Sequence, residues 1–331
     1  MNIFSSLLLF PFTHWVHCQL IVAKSKRQFL LASQLKDLSA QSKQLECSRA
    51  LDIQRILSLL ATMPDTISKD IIATKHEELQ KAQEKARLIS VEHRILQTLH
   101  FDRMFSRETA IAEAQGQTFS WIFEDSSTVF LSWLQEPGGT FWISGKPGSG
   151  KSTLMKFIFN NPKVEYHLKA NNTDSPLCMA RFYFWGPGTE MQRSQEGLFR
   201  FLLCQIFSKC PDLIAVLCPE RWKRMSQSLD IFQPSSTQPQ VWTMKELSRA
   251  FELLKDPETL GTLQNIRFCF FVDGLDEYKG DALQLVKTMK DIAIIPNIKL
   301  CLASRPWPCF ADAFGLTTSK IIHGRSDNAR Y

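Results

Sequence analysis

The stretch that decides the fold is Gly145-Lys146-Pro147-Gly148-Ser149-Gly150-Lys151-Ser152. It matches the pattern G-x-x-x-x-G-K-[ST] at every fixed position. The apolar run from Thr140 to Ser144 precedes it, and a stretch with helical periodicity from Lys151 to Phe159 follows it. A glycine-rich turn between a strand and a helix directs backbone N–H groups at an anion at the helix amino terminus. The sequence therefore predicts a phosphate-binding loop inside an α/β domain.

The positions of this loop have distinct expected roles. Its three glycines let the backbone adopt conformations that are barred to bulkier residues. Lys151 is expected to reach the β- and γ-phosphates of a nucleoside triphosphate, and the Ser152 hydroxyl is expected to ligate Mg²⁺. We therefore expect a nucleoside triphosphate with Mg²⁺ at this loop. The candidate cofactor-binding residues are Gly145, Lys146, Pro147, Gly148, Ser149, Gly150, Lys151, Ser152 and Thr153.

Carboxylates follow a second apolar run. The run from Phe268 to Val272 ends at Asp273, and Asp276 and Glu277 come directly after. Ligands of open α/β sheets bind at the carboxyl ends of the strands, so Asp273 is the candidate metal ligand beside Ser152. Asp276 and Glu277 are candidate catalytic residues that polarise an attacking water. The alternative is a plain acidic loop after a core strand.

A third apolar run, from Lys299 to Ala303, is followed by Ser304-Arg305-Pro306. An arginine at the end of a strand beside the phosphate strand can direct a fixed cation at the γ-phosphate. Arg305 is therefore a candidate catalytic residue. The alternative is that Arg305 pairs with a surface carboxylate. The fourth strand candidate runs from Met179 to Trp185.

Together these motifs resemble a NACHT module of the STAND class of signalling NTPases. The resemblance is strongest to the nephrocystin-like amino-terminal P-loop region of fungal NLR-type proteins, and it covers roughly residues 92 to 316. The segments that carry it are Phe141 to Lys156, Ser194-Gln195-Glu196-Gly197-Leu198, Cys210-Pro211-Asp212-Leu213, Thr118-Phe119-Ser120-Trp121-Ile122-Phe123, the acidic segment 273–277 and Ser304-Arg305-Pro306.

The resemblance implies an ASCE/STAND-type P-loop NTPase fold, a parallel sheet of strand order 5-1-4-3-2 flanked by helices. It implies that the chain binds ATP or GTP with Mg²⁺ and switches between a closed diphosphate form and an open triphosphate form that forms homo-oligomers. It also implies that Arg107 lies where related proteins approach the base. Family members continue past the fifth strand into helical and winged-helix subdomains. Because Lys320 to His323 reads as the start of that strand and the sequence ends at Tyr331, we expect a truncated module.

We expect three regions along the chain. Residues 1–24 are an apolar segment, interrupted by Pro11, His14 and His17, for which we expect neither a membrane span nor a cleaved signal. Residues 25–102 have amphipathic spacing and no glycine, which predicts an α-helical bundle or coiled-coil-like segment. One face of it should carry Leu88, Val91, Ile95 and Leu99. Residues 103–331 form the P-loop domain. Helices are expected from Gln195 to Ser208 and from Thr243 to Leu254.

Composition limits the partners. The net charge of +6 is spread along the chain, which does not indicate a nucleic-acid surface. Nine cysteines without a Cys-x-x-Cys pair predict buried thiols, among them Cys204, Cys269 and Cys301, and a cytoplasmic location. We expect protein partners and a slow nucleoside-triphosphatase switch. The alternatives are a non-catalytic helical scaffold with a structural nucleotide and a small-molecule kinase.

Overall fold

The computed structural model describes residues 69–115, 118–123, 129–170, 175–227, 241–256, 259 and 266–315. The expectations for residues 1–68, for the helices within them and for the strand from Lys320 to His323 lie outside these residues. The chain divides into two compact units, residues 1–86 and 87–331. In the first unit, the described part is the start of a helix on which Glu77 and Lys81 form an exposed ion pair of 2.6 Å.

The described part is α/β, with a parallel sheet flanked by helices. The strands are β1 Thr140–Ser144, β2 Leu177–Tyr183, β3 Arg267–Asp273 and β4 Ile298–Ser304. The helices are α1 Lys69–Leu99, α2 Ser106–Ala110, α3 Val129–Gln135, α4 Lys151–Asn160, α5 Pro162–Lys169, α6 Gln195–Lys209, α7 Leu213–Leu217, α8 Pro219–Gln227, α9 Met244–Leu253, α10 Ala282–Ala293 and α11 Pro308–Phe314. Single 3₁₀ turns span Ser120–Phe123, Met191–Arg193 and Leu275–Glu277.

All four predicted strands are confirmed, and they pair in parallel in the order β1-β4-β3-β2. This is the expected order for the four strands that the structure describes. β1 has the predicted bounds, whereas β2 begins and ends two residues earlier than the sequence pattern indicated. At the end of β2, Trp185 does not continue the strand pairing, because its N–H donates to the Gln192 carbonyl at 3.0 Å.

Both faces of the sheet are buried, as expected of a parallel sheet. Successive strand residues point to opposite faces. On β3, Phe268, Phe270 and Val272 join a cluster with α6, α9 and α10. Cys269 and Phe271 join a second cluster with α3, α4 and α5. The alternation explains why the strand sequences are almost continuously apolar.

The end of α1 belongs to the core of the second unit. Val91, Ile95 and Leu99 are fully buried in the first cluster, so three positions of the predicted apolar face are confirmed. Leu88 lies one turn earlier and is 38% exposed, so it does not continue this face. The second compact unit begins at Arg87, so it includes this end of α1.

Local signals set the helix ends. The Ser194 hydroxyl accepts from the Gly197 N–H at 3.1 Å, and the Thr243 hydroxyl accepts from the Glu246 N–H at 3.2 Å. Both hydroxyls satisfy a donor that the first helical turn leaves without an intrahelical acceptor. The predicted helices at residues 151, 195 and 243 are therefore confirmed to within one residue at each end.

A buried guanidinium joins α8 to α9. The Arg221 side chain is 1% exposed and donates from Nε and Nη2 to the two carboxylate oxygens of Glu246, each at 2.8 Å. Its guanidinium carbon lies 3.7 Å from the centroid of the Trp242 ring. The Trp242 indole N–H in turn donates to the Thr98 hydroxyl at 3.0 Å. One fork of charge-assisted hydrogen bonds thus holds the helices that cover this end of the core.

Cys204, Cys269 and Cys301 are buried, as predicted. Burial raises the pKa of Cys204 to about 11 and that of Cys269 to about 12, so both remain protonated at neutral pH. Within the described ranges, no helix combines the length and apolar character that crossing a bilayer requires.

Candidate functional site

The glycine-rich loop wraps around the ammonium group of Lys151. Lys151 Nζ donates to the carbonyls of Gly145 and Lys146 at 2.8 and 2.9 Å. Gly148 and Gly150 have φ of 73° and 82°, in the left-handed region that favours glycine. Gly150 precedes the first residue of α4, so the loop delivers the chain directly into the helix amino terminus. This is the geometry in which backbone N–H groups bind an anion.

Gly145 differs from the other two glycines. Its backbone is not in the left-handed region, so the prediction that all three glycines serve this purpose is wrong for this position. Gly145 is buried, and its N–H donates to the Ser304 carbonyl at 3.3 Å. This hydrogen bond connects the start of the loop to the end of β4.

Asp273 lies at the end of β3 and is 2% exposed. Its pKa is raised to about 6, because burial disfavours the carboxylate. The hydrogen bond with Ser152 and the positive charges of Arg107 and Lys151 act in the opposite direction. A buried carboxylate next to a serine hydroxyl is a pair of hard oxygen ligands, which suits Mg²⁺. The predicted metal pair is therefore in contact.

A left-handed glycine turns the chain after Asp273. Gly274 has φ of 73°, and a Cβ there would lie 3.0 Å from the Phe184 carbonyl oxygen. Its N–H donates to the Ala303 carbonyl at 2.9 Å, which ties the turn to β4. The 3₁₀ turn that follows carries Asp276 and Glu277 to the carboxyl edge of the sheet.

Asp276 and Arg305 form an ion pair. The Arg305 backbone N–H donates to Asp276 Oδ1 at 2.9 Å, and Arg305 Nε lies 2.9 Å from Asp276 Oδ2. The Asp276 side chain is 4% exposed, whereas that of Arg305 is 44% exposed. Arg305 therefore pairs with a buried carboxylate of the site rather than with a surface carboxylate, while its own side chain remains partly exposed.

Glu277 is held differently from Asp276. Its Oε2 accepts a hydrogen bond of 2.8 Å from the Gly186 N–H, which fixes the direction of the carboxylate. Neither Arg305 nor Lys151 forms an ion pair with it among the described residues. Its remaining oxygen is thus available in the cavity that it lines.

These residues surround one cavity of about 340 Å³. Of the sequence-predicted residues, Gly145 and Lys146 do not line it, and the others do. Those that line it are Pro147, Gly148, Ser149, Gly150, Lys151, Ser152, Thr153, Asp273, Asp276, Glu277 and Arg305. Burial lowers the pKa of Lys151, while the negative charges of Asp276 and Asp273 raise it. The buried Ser149 hydroxyl has no partner among the described residues, so a polar contact remains open at the loop.

Arg107 lines the same cavity. The segment that carries it is fastened to α4, because the buried ammonium of Lys156 donates to the carbonyls of Ile111 at 2.8 Å and Glu108 at 3.2 Å. Glu108 also forms an ion pair with Arg181 of β2. Arg107 thus lies on the side of the cavity that carries Asp273. The family resemblance implies only that Arg107 lies where related proteins approach the base, and no sequence pattern indicates its place beside Asp273.

Sequence reasoning did not single out Trp185, Arg193 and Lys279. These residues adjoin Glu277 and line a neighbouring cavity. Trp185 and Arg193 lie in the connection between β2 and α6, Lys279 lies after the 3₁₀ turn Leu275–Glu277, and no spacing rule connects them.

A search of the curated proteins finds no match to this chain. A scan against protein-family models finds the family described as nephrocystin 3, N-terminal, whose model matches residues 117–305. The match takes in the glycine-rich loop, the acidic turn after β3 and Arg305, and it covers more than half of the sequence. The chain is therefore a member of the nephrocystin 3 N-terminal family.

Proposed function

We propose that this chain is a nucleotide-binding switch of the NACHT/STAND class that binds ATP or GTP with Mg²⁺ and hydrolyses it slowly. When bound, Mg²⁺ would neutralise part of the negative charge of the phosphates. Lys151 and the loop N–H groups would bind the phosphates, and Ser152 and Asp273 would hold the metal.

The observation that carries the proposal is the convergence of two distant segments on one cavity. Lys151 and Ser152 lie at the start of α4, and Asp273 lies 121 residues after Ser152 at the end of β3. Phosphoryl transfer requires little covalent chemistry from a protein, so cations, a metal ligand and an oriented carboxylate are a sufficient set.

The two candidate catalytic carboxylates have different proposed roles. Both oxygens of Asp276 accept from Arg305, so we assign Asp276 to positioning that arginine. Glu277 has one oxygen fixed by Gly186 and the other available in the cavity. We assign Glu277 to orienting the attacking water.

The test of binding is Lys151→Ala, which should weaken ATP and GTP binding by about 100-fold or more, because the charged contact to the phosphates is lost. Isothermal titration calorimetry with Mg²⁺ measures it. Lys287→Ala is the control, since Lys287 is an exposed lysine that does not line the cavity. Unchanged affinity in Lys151→Ala would exclude the loop as the nucleotide site.

Glu277→Gln should bind nucleotide normally and release phosphate about 100-fold more slowly, because the amide cannot accept a proton from water. Single-turnover phosphate release measures the rate, with the exposed Glu220→Gln as control. A wild-type rate in Glu277→Gln would remove this residue from the mechanism. If the wild-type chain retains nucleotide and releases no phosphate over hours, the scaffold with a structural nucleotide is the correct function.

We further propose a cytoplasmic protein with protein partners that forms homo-oligomers in the triphosphate form. The buried thiols are compatible with a reducing compartment. Mass measurement of the diphosphate- and triphosphate-loaded chain distinguishes a switching oligomer from a constant monomer.

A further inference from the structure

A second cavity, of about 520 Å³, opens next to the phosphate-loop cavity. The two cavities share Arg107, Asp276, Glu277 and Arg305 as a common wall. The far wall is different, since it is formed by the loop after β2, the 3₁₀ turn at Arg193 and the segment after Glu277. A cavity of this volume lies within the range of small-molecule sites, about 300 to 1,000 Å³.

The charge of this second cavity is positive. Arg107, Arg193 and Lys279 line it, and none of the three forms an ion pair with a carboxylate among the described residues. The Nε atoms of Arg107 and Arg193 are buried and have no hydrogen-bond partner there. Of the two carboxylates in the wall, Asp276 is already neutralised by Arg305. An excess of unpaired cations at a concave surface indicates an anionic ligand.

The far wall is built to hold these cations in place. Arg193 Nη1 donates to the Gly186 carbonyl at 3.3 Å, and the Arg193 carbonyl accepts from the Lys279 N–H at 2.9 Å. The buried Gln192 side chain donates to the Arg103 carbonyl at 3.1 Å and to the Ser106 hydroxyl at 2.9 Å. One residue thus connects the loop that carries Arg193 to the segment that carries Arg107.

Trp185 adds a flat apolar surface to the cavity. The Arg107 guanidinium carbon lies 5.9 Å from the centroid of its ring. An inorganic ion needs no such wall, whereas the carbon skeleton of an organic ligand gains contact from it. Guanidinium groups in turn match phosphate oxygens through paired hydrogen bonds.

We propose that this second cavity binds the phosphate ester of a small organic molecule, with Arg193 and Lys279 contacting the phosphate and Trp185 contacting the organic part. The inference goes beyond the proposed function and does not require nucleotide in the loop. The same phosphate chemistry is offered by free inorganic phosphate, so the experiment compares the two sources.

The test is calorimetric titration of the full chain, in chloride buffer, with ribose 5-phosphate, inorganic phosphate and ribose. The titrations are made in the Lys151→Ala variant as well as in the wild type, so that the phosphate loop cannot account for the binding. We expect ribose 5-phosphate to bind both proteins, inorganic phosphate to bind more weakly, and ribose not to bind. Arg193→Gln should weaken ribose 5-phosphate binding by about tenfold or more.

Lys279→Gln provides a second variant, because its side chain is exposed and its loss leaves the hydrogen bonds of the wall in place. It should weaken binding severalfold. Lys287→Gln, an exposed lysine outside the cavity, should bind like the wild type. Binding that survives both Arg193→Gln and Lys279→Gln, or that disappears in Lys151→Ala, would overturn the proposal. Equal affinity for ribose 5-phosphate and inorganic phosphate would overturn the organic part of it.

The outcome is separable from that of the proposed function. Loss of ATP and GTP binding in Lys151→Ala with ribose 5-phosphate binding retained supports both. If Lys151→Ala leaves nucleotide binding intact and Arg193→Gln still loses ribose 5-phosphate, the proposed nucleotide site fails while the second site stands.

Discussion

Glu246→Gln is expected to lower the free energy of unfolding by about 3 kcal/mol, at the low end of the range for breaking a buried ion pair. The substitution removes the carboxylate that accepts two hydrogen bonds from Arg221, whose side chain is 1% exposed. It keeps the shape of the side chain, so packing is not the cause of the loss. The expected loss of stability lies at the low end of that range because the Glu246 side chain is 21% exposed, so water can reach it.

Glu252→Gln on the same helix is the matched control. Glu252 and Arg249 form an ion pair of 3.3 Å, in which both side chains are more than half exposed. Exposed pairs contribute roughly 0 to 1 kcal/mol, so this variant should unfold almost like the wild type. Urea unfolding followed by circular dichroism measures both. Equal midpoints for the two variants would show that the fork between α8 and α9 does not stabilise the fold.

Gly197→Ala is expected to lower the free energy of unfolding by about 3 kcal/mol or more, through overpacking. A Cβ at this position would lie 1.7 Å from the backbone oxygen of Met191 and 2.6 Å from its carbonyl carbon. Both atoms are backbone, so no side-chain rotation can relieve the clash. The first turn of α6 must therefore move away from the 3₁₀ turn Met191–Arg193, which carries part of the wall of the second cavity.

Gly148→Ala tests the effect of backbone strain without a steric clash, in contrast to Gly197→Ala. Its Cβ would meet nothing within 4 Å, but its φ is 73°. Only the left-handed conformation disfavours alanine there, at about 1 kcal/mol. In thermal unfolding of the nucleotide-free chain, the midpoint temperature should therefore be lowest for Gly197→Ala, intermediate for Gly148→Ala and highest for the wild type. The reverse order would mean that α6 and the preceding turn do not approach as described.

The strands and the meeting of the site residues were predictable from the sequence. Parallel strands buried on both faces leave continuous apolar runs, and the motif residues follow the ends of three such runs. Because the carboxyl ends of parallel strands lie at one edge of the sheet, Lys151, Asp273 and Arg305 had to approach one another. The sequence pattern places the end of β2 two residues too late for a local reason. Trp185 is apolar, as a buried strand residue would be, but its N–H donates to the Gln192 carbonyl and not to a neighbouring strand.

The pairings inside the site were not predictable in the same way. Asp276 and Arg305 meet because β3 and β4 are adjacent and in a particular register, with Val272 opposite Leu302. No local pattern encodes that register. The three unpaired cations of the second cavity come from segments near residues 107, 193 and 279, and only the folded chain brings them together. The structural role of Gly145 was not predictable either, because it depends on a tertiary contact, the hydrogen bond from its N–H to the Ser304 carbonyl.

The hydrogen bonds of the Lys156 ammonium link two parts of the site. Lys156 lies on the helix that begins at the glycine-rich loop, and its ammonium donates to one carbonyl within the short helix that bears Arg107 and to the carbonyl of the residue that follows that helix. We therefore expect a displacement of α4 to move the helix that bears Arg107 as well. This part of the cavity wall should then move together with the glycine-rich loop, which directly precedes α4.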